Sequence, residues 1–294
     1  MKTLVYLGYS LAWRFISFLP EGAVYRWAYK AADSLAKKPG KGIARLRSNY
    51  ARMRPELSDL ELEVLVREGM RSYVRYWIDT FRLPRWSRER ILSTVTIENE
   101  HILRDALSSG KGAVVSLPHA GNWDHAGAYF CATGAPLVTV AEHLEPEKLF
   151  RKFLAYREAM GMEVLDLNSR AIAVLSQRAR AGKLIALVAD RDLSQSGIPV
   201  AFAGFPARMP AGPALLSIQT GAPLITAYVS YTDNGIHIEF GEVIRVPVGE
   251  STSEKVSLMT QECADWFATR IKGKTTDWHM LQRIWVDGDF KERE

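Results

Sequence analysis

The chain has 294 residues, 47% of them apolar and 24% charged, which supplies a sizeable core and excludes disordered, collagen-like and disulfide-scaffold proteins. Basic side chains outnumber acidic ones 38 to 33. The only cysteines, Cys131 and Cys263, exclude a cysteine-rich zinc site and suit a reducing compartment. No run of about 18 apolar residues occurs, so a simple transmembrane helix is not expected.

The charge is uneven. Residues 1–54 hold eleven basic and two acidic side chains, a balance of +9, whereas the other 240 residues hold 27 basic and 31 acidic groups. In this segment Leu4, Leu7, Leu11, Phe15 and Phe18 recur at helical spacing, with Thr3, Ser10, Arg14 and Ser17 opposite. Pro20 ends that helix. A second, over residues 21–38, sets Val24, Trp27, Ala28, Ala31 and Leu35 against Arg26, Lys30, Asp33 and Lys37. Such helices either pack on the core with their cations in water or lie in an anionic bilayer interface, and the concentration of charge favours the interface. A secretory signal is disfavoured, because Arg14 interrupts the apolar run and no small-residue cleavage site precedes Pro20. Nucleic-acid binding explains the cations poorly, since they accompany apolar helix faces and no binding module.

Helical pattern continues to about residue 82. From residue 95 short apolar runs alternate with helices. Strands are expected at 95–97, 113–117, 137–141, 163–167, 184–189, 199–202, 224–230 and 236–240. Helices are expected near 100–109, 121–133, 146–160, 169–181, 211–220 and 252–272. The pattern predicts an α/β fold with a central, largely parallel sheet flanked by helices. One domain over 1–294 is expected, with 1–82 as a helical membrane-docking region and 95–294 as the catalytic core.

Phosphate-loop, dinucleotide-fingerprint, zinc-protease and nucleophile-elbow motifs are all absent. What stands out is Leu117-Pro118-His119-Ala120-Gly121-Asn122-Trp123-Asp124, directly after an apolar strand. Ligands of open α/β sheets bind at the carboxyl ends of strands, and Pro118 keeps Leu117 extended, so His119 stands at a strand mouth. Within a single helix, His119 and Asp124 would lie about 140° apart and could not meet. With His119 before the helix and Asp124 in its first turns, the carboxylate can reach back to one imidazole nitrogen, freeing the other as a general base. No serine or thiol nucleophile accompanies them, which favours direct transfer from an activated donor. Taken alone, a His-x4-Asp pair also arises by chance. Asp190-Arg191-Asp192, after the strand at 184–189, reads either as a solvated charge cluster or as a second group at the ligand side of the sheet.

His119-x4-Asp124 resembles the signature of the lipid A late acyltransferase superfamily. Longer stretches at 72–77, 117–124, 139–142, 156–158, 189–197, 208–213 and 277–282 resemble the phosphatidylinositol mannoside acyltransferases within it. The resemblance implies transfer of a fatty acyl chain, palmitoyl as a rule, from acyl-CoA to a mannose 6-hydroxyl of phosphatidylinositol mannosides, with no cofactor. It places the chain peripherally on the anionic cytoplasmic face of the plasma membrane. It implies His119 as catalytic base and Asp190 at the position of a catalytic glutamate, one methylene shorter, with Asp124 completing the signature. His119, Arg157, Ser196 and Gln219 fall at acyl-CoA-binding positions, although Gln219 stands where the family carries a glutamate. Glu142, Arg191 and Arg208 are further polar candidates: Glu142 to orient a basic neighbour or bind a sugar hydroxyl, Arg191 within the charge cluster, and Arg208 to bind phosphate or, equally, to form a structural salt bridge. Trp123 and Trp278 read as packing residues. Two rivals remain: a lipid A-type enzyme with another glycolipid acceptor, and a non-catalytic membrane-binding protein of the same fold.

Overall fold

The computed structural model describes residues 2–38, 40–142, 146–167, 170–192, 194 and 196–287, excluding the side chains of 2–7, 10 and 12. The expected positions of Thr3, Leu4, Leu7 and Ser10 on the first helix therefore lie outside the described residues.

The chain opens with four helices: α1 (Lys2–Phe18), α2 (Glu21–Ala36), α3 (Lys41–Met53) and α4 (Asp59–Arg82). Helix α4 starts at a reciprocal cap, where Ser58 accepts from the Glu61 amide while the Glu61 carboxylate accepts from the Ser58 amide. Short α5 (Arg88–Ser93) leads into strands alternating with helices: β1 (Val95–Glu98), α6 (Glu100–Ser108), β2 (Ala113–Leu117), α7 (Trp123–Ala132), β3 (Leu137–Ala141), α8 (Glu147–Ala159), β4 (Glu163–Asp166), α9 (Ala171–Arg180) and β5 (Leu184–Val188). The hairpin β6 (Ile198–Phe202) and β7 (Phe205–Met209) follows, then α10 (Gly212–Thr220), β8 (Leu224–Tyr231), β9 (Ile236–Ile244) and α11 (Thr252–Gly273).

Seven strands form one sheet in the order β1-β9-β8-β2-β5-β3-β4. The five from β8 to β4 are mutually parallel, while β9 runs against β8 and β1 follows β9. Strand β2 is buried along its whole length, as a central strand covered on both faces must be. Its residues alternate between two cores. Val114 joins a cluster with Leu46 and Tyr50 of α3, Val66 of α4 and Phe267 of α11, whereas Val115 and Leu117 join one with Leu103 of α6, Phe130 of α7 and Phe153 of α8. The N-terminal helices thus share a core with the sheet.

One expected strand takes a different place, and one strand was not foreseen. The run at 199–202 is β6, which stands outside the main sheet and pairs antiparallel with β7. Pro206 hid β7 by weakening the strand signal. The proline is tolerated at this edge, and its carbonyl accepts from the Val286 amide at 2.8 Å. The two-residue turn uses positive φ at both Ala203 (49°) and Gly204 (83°), as a tight hairpin requires.

In helix α1 the described part of the predicted apolar stripe faces away from the protein. Trp13 packs against Phe81, Phe153 and Tyr156, and Ser17 donates to the Phe81 carbonyl at 2.8 Å, while Leu11, Phe15 and Phe18 stand exposed. Helix α2 splits its stripe: Val24 is buried, whereas Trp27, 72% exposed, and Leu35 face outward. No helix among the described residues is long and apolar enough to cross a membrane.

Candidate active site

Parallel register creates the site. Leu117 of β2 lies opposite Val188 of β5, so the residues two further on, His119 and Asp190, leave adjacent strands side by side. After His119 the chain must turn sharply into α7, and Gly121 allows it. Its φ is +57°, and a Cβ there would sit 2.5 Å from the Val229 carbonyl oxygen. Asn122 then caps α7, its side chain accepting from the His125 amide at 2.9 Å.

The Asp190 carboxylate is almost fully buried and fully engaged. Its Oδ1 lies 2.5 Å from His119 Nδ1, and its Oδ2 accepts from the His119 amide at 3.1 Å and from Trp278 Nε1 at 2.8 Å. Burial alone would raise its pKa, but attraction to His119 and these hydrogen bonds outweigh it and hold the pKa below the ordinary carboxylate value. An ionised Asp190 requires His119 to present Nδ1–H to it, which leaves Nε2 as the lone-pair nitrogen. The missing methylene thus does not prevent contact. The His119 ring also meets Trp123 edge-on, with centroids 5.6 Å apart.

Asp124 does not hold the imidazole. It lies 2% exposed in the first turn of α7, where Oδ1 accepts from Arg157 Nε at 2.7 Å and Oδ2 from Tyr76 Oη at 3.0 Å. The expected reach back to His119 is therefore corrected: Asp190 occupies Nδ1, and Asp124 ties α7 to α4 and α8. Arg157, its side chain 17% exposed, makes the same bond, a partly buried cation meeting a buried anion.

The other candidates divide by position. Glu142 follows β3 and lies 3.6 Å from Arg191, which follows Asp190, so both stand at the same strand mouths as His119. Arg208 on β7 donates to the Ser194 carbonyl at 3.3 Å, and its own carbonyl accepts from the Asp192 amide at 2.7 Å. Ser196 is exposed, with its hydroxyl 2.8 Å from that of Ser194; the neighbouring Leu193 and Gln195 lie outside the described residues. Gln219 does not join this group. It lies near the end of α10, just before β8, at the end of the sheet where β2 begins, about 17 Å of strand from His119. There it accepts from Ser176 at 3.4 Å.

Sequence reasoning missed the contribution of residues 277–279. The Gly121 amide donates to the Asp277 carbonyl at 2.9 Å, and the His279 amide donates to the His119 carbonyl at 2.8 Å. His279 Nε2 lies 2.9 Å from Ser72 Oγ, which donates to Asp277 Oδ1 at 2.9 Å. Burial, with the nearby His119, pushes the His279 pKa down to about 3. The available signal was the stretch at 277–282, which resembles the family without containing a recognised motif.

An apolar cavity of about 40 Å³ lies between the sheet and α7, lined by Trp123, Ala126, Gly127 and Phe130 along one face of the helix and by Leu117, Val229 and Leu184 from the sheet; of these, Trp123 also meets the His119 ring. Among the described residues, no three His, Cys, Asp or Glu side chains converge as metal ligands.

A histidine–carboxylate pair at parallel strand ends, in an H-x4-D loop, is the arrangement of an acyltransferase site. The chain matches the bacterial lipid A biosynthesis acyltransferase family over residues 2–287 and belongs to it. It is 38% identical over 290 residues to the phosphatidylinositol mannoside acyltransferase of Mycolicibacterium smegmatis, covering 98% of this chain and 93% of that one. It is 37% identical over 291 residues to the enzyme of the same name from Mycobacterium tuberculosis, covering 97% of this chain and 90% of that one.

Proposed function

We propose that this acyltransferase moves a fatty acyl chain, palmitoyl by preference, from acyl-CoA to a mannose 6-hydroxyl of a phosphatidylinositol mannoside. The observation that carries the reading is the His119–Asp190 pair, with its oriented imidazole at the mouths of two parallel strands. The acceptor class comes from the two relatives.

His119 Nε2 removes the proton from the sugar hydroxyl, and that oxygen attacks the thioester carbonyl. Asp190 stabilises the imidazolium that forms, and the collapsing tetrahedral adduct expels the CoA thiolate, which takes the proton from His119. The thioester supplies the activation, so the proposed cycle needs neither cofactor nor acyl-enzyme. The cavity along α7 suits the start of an acyl chain, with the small side of the helix at Ala126 and Gly127 giving room. It must widen to admit the whole chain. Arg191 and Arg208 suit phosphate through their planar donor forks. Helices α1 and α2 place the site against an anionic membrane surface at the cytoplasmic face, without spanning it.

The test incubates the enzyme with mixed acyl-CoAs and candidate mannosylated and non-mannosylated glycolipids, and reads products by mass spectrometry. His119→Ala is expected to lower turnover at least 10²- to 10⁴-fold while the fold persists. A folded His119→Ala variant with near-normal turnover, or a trapped acyl-enzyme, contradicts the mechanism. Acylation of a non-mannosylated acceptor alone contradicts the assigned substrate.

A further inference from the structure

The catalytic carboxylate needs an anchor that does not move with the histidine. Two of the hydrogen bonds to Asp190 come from His119 itself, through Nδ1 and the backbone amide, and they would accompany any displacement of that residue. The third comes from Trp278 Nε1 at 2.8 Å, 88 residues away. A carboxylate torsion is soft and roughly two-fold, so two bonds from a single residue leave its plane less determined than a third donor from a distant part of the chain does.

Trp278 is such a donor. It is fully buried, and its indole meets the Phe202 ring edge-on at 5.9 Å. Its carbonyl accepts from Tyr50 Oη at 3.0 Å, and its backbone bridges antiparallel to Ala120. The flanking bonds, Gly121 to Asp277 and His279 to His119, fasten the same segment to both ends of the histidine loop. Beyond it, Asn49 Nδ2 of α3 donates to the Met280 carbonyl at 2.7 Å.

We infer that Trp278 is a positioning residue of the reaction: its indole N–H sets the plane of the Asp190 carboxylate, and through it the direction of the His119 Nε2 lone pair. This rests on the His119–Asp190 reading above, and it assigns to the indole a role in turnover beyond filling the core.

Trp278→Phe keeps a six-membered aromatic ring but removes the donor together with the rest of the indole, so its loss of packing is separated from its loss of the hydrogen bond by the pH profile. A hydrogen bond to a charged group accounts for roughly ten- to hundredfold, so kcat is expected to fall by about that factor, with KM for both substrates within about twofold of the parent. Losing a donor to Oδ2 makes the remaining anion more basic towards the imidazolium. The acid limb of the kcat/KM profile is therefore expected to move to higher pH, by about half a unit. Damaged packing alone lowers the amount of active enzyme without moving that limb.

A second measurement needs no activity. The Trp278 indole resonance in a ¹H–¹⁵N spectrum, assigned by its loss in Trp278→Phe, is expected to shift in Asp190→Asn and to exchange slowly in the parent. A resonance indifferent to Asp190→Asn, or a Trp278→Phe enzyme with kcat within twofold and an unmoved limb, overturns the inference. His119→Ala separates the two failures. If that variant is dead while Trp278→Phe is normal, the dyad stands and the positioning role falls; if it stays active, the dyad reading itself is wrong.

Discussion

A carboxylate taken out of water has to be met by donors, and the two buried aspartates around His119 are met by different ones. Asp190 receives an imidazole and an indole, and Asp124 a guanidinium and a phenol. Asp190→Asn keeps the shape but offers an amide that can donate to Nδ1, which favours the wrong imidazole tautomer. Turnover is expected to fall by about 10³- to 10⁴-fold with little change in stability, read by steady-state kinetics beside a melting curve. Arg157→Met leaves the Asp124 carboxylate buried beside Tyr76 alone. Breaking a buried pair from one side costs about 3–5 kcal/mol, so denaturant unfolding should report a loss of that order. If Arg157 instead served only to bind acyl-CoA, the same variant would raise the donor KM and leave unfolding unchanged. The family motif made His119 and Asp124 conspicuous in the sequence, but five residues of separation said nothing about which carboxylate holds the ring. The register of β2 against β5 decided that.

Among the elements, α1 and α2 are held to the core by polar contacts on their inner sides. Arg82 donates to the Ile16 and Leu19 carbonyls at 2.7 and 2.9 Å, Arg90 pairs with Glu21, and Arg71 pairs with Asp33. Their outer sides carry Leu11, Phe15, Phe18, Trp27 and Leu35 in the open, together with exposed Arg14, Arg26 and Lys30. Burying one large apolar side chain contributes about 1.5–3 kcal/mol, and each cation near an anionic surface about 1 kcal/mol. Phe15→Glu with Trp27→Glu is therefore expected to weaken sedimentation with anionic vesicles by more than about tenfold at any salt concentration. Charge reversal of Arg14, Arg26 and Lys30 should weaken it chiefly at low salt. Equal binding by both sets would contradict the proposed platform, and resistance to carbonate extraction would indicate a spanning segment. Amphipathicity was legible here from spacing alone. The direction of the stripe was not, because a helix with Trp13 on one side and Phe15 on the next can dock either way until α4 and α8 supply the partner surface.

Over the whole molecule, acid acts through groups that folding has removed from water. Burial pushes the pKa of His125 down to about 4 and that of His279 down to about 3. Both histidines take up protons on unfolding, so stability is full above about pH 6.5 and is lost as the pH falls. Asp79 works the other way. Burial raises its pKa to about 6 against the bond from Tyr25 and the charge of Arg75, with Glu21 adding to the rise and Arg90 opposing it, so its protonated form favours the folded chain below that pH. By pH 4 the two histidines cost about 6 kcal/mol against about 2 returned by Asp79, with Asp277, whose pKa burial also raises, returning a further part. The melting temperature is expected to be highest near neutrality and to fall between pH 6.5 and 4, with a shallower fall in His125→Gln, which lies away from the dyad. A flat profile over that range would contradict two buried neutral histidines. The sequence by itself determined the alternation of strands and helices, the strand mouth at His119 and the concentration of cations in the first 54 residues, because each depends on local spacing and composition. Only the tertiary structure decided that Asp190 meets His119, that Asp124 is bound by Arg157, that Trp278 stands behind the dyad and that Gln219 lies at the far end of the sheet. Those outcomes depend on strand order, register and helix packing, which bring together residues 33 to 88 positions apart and which no local pattern encodes.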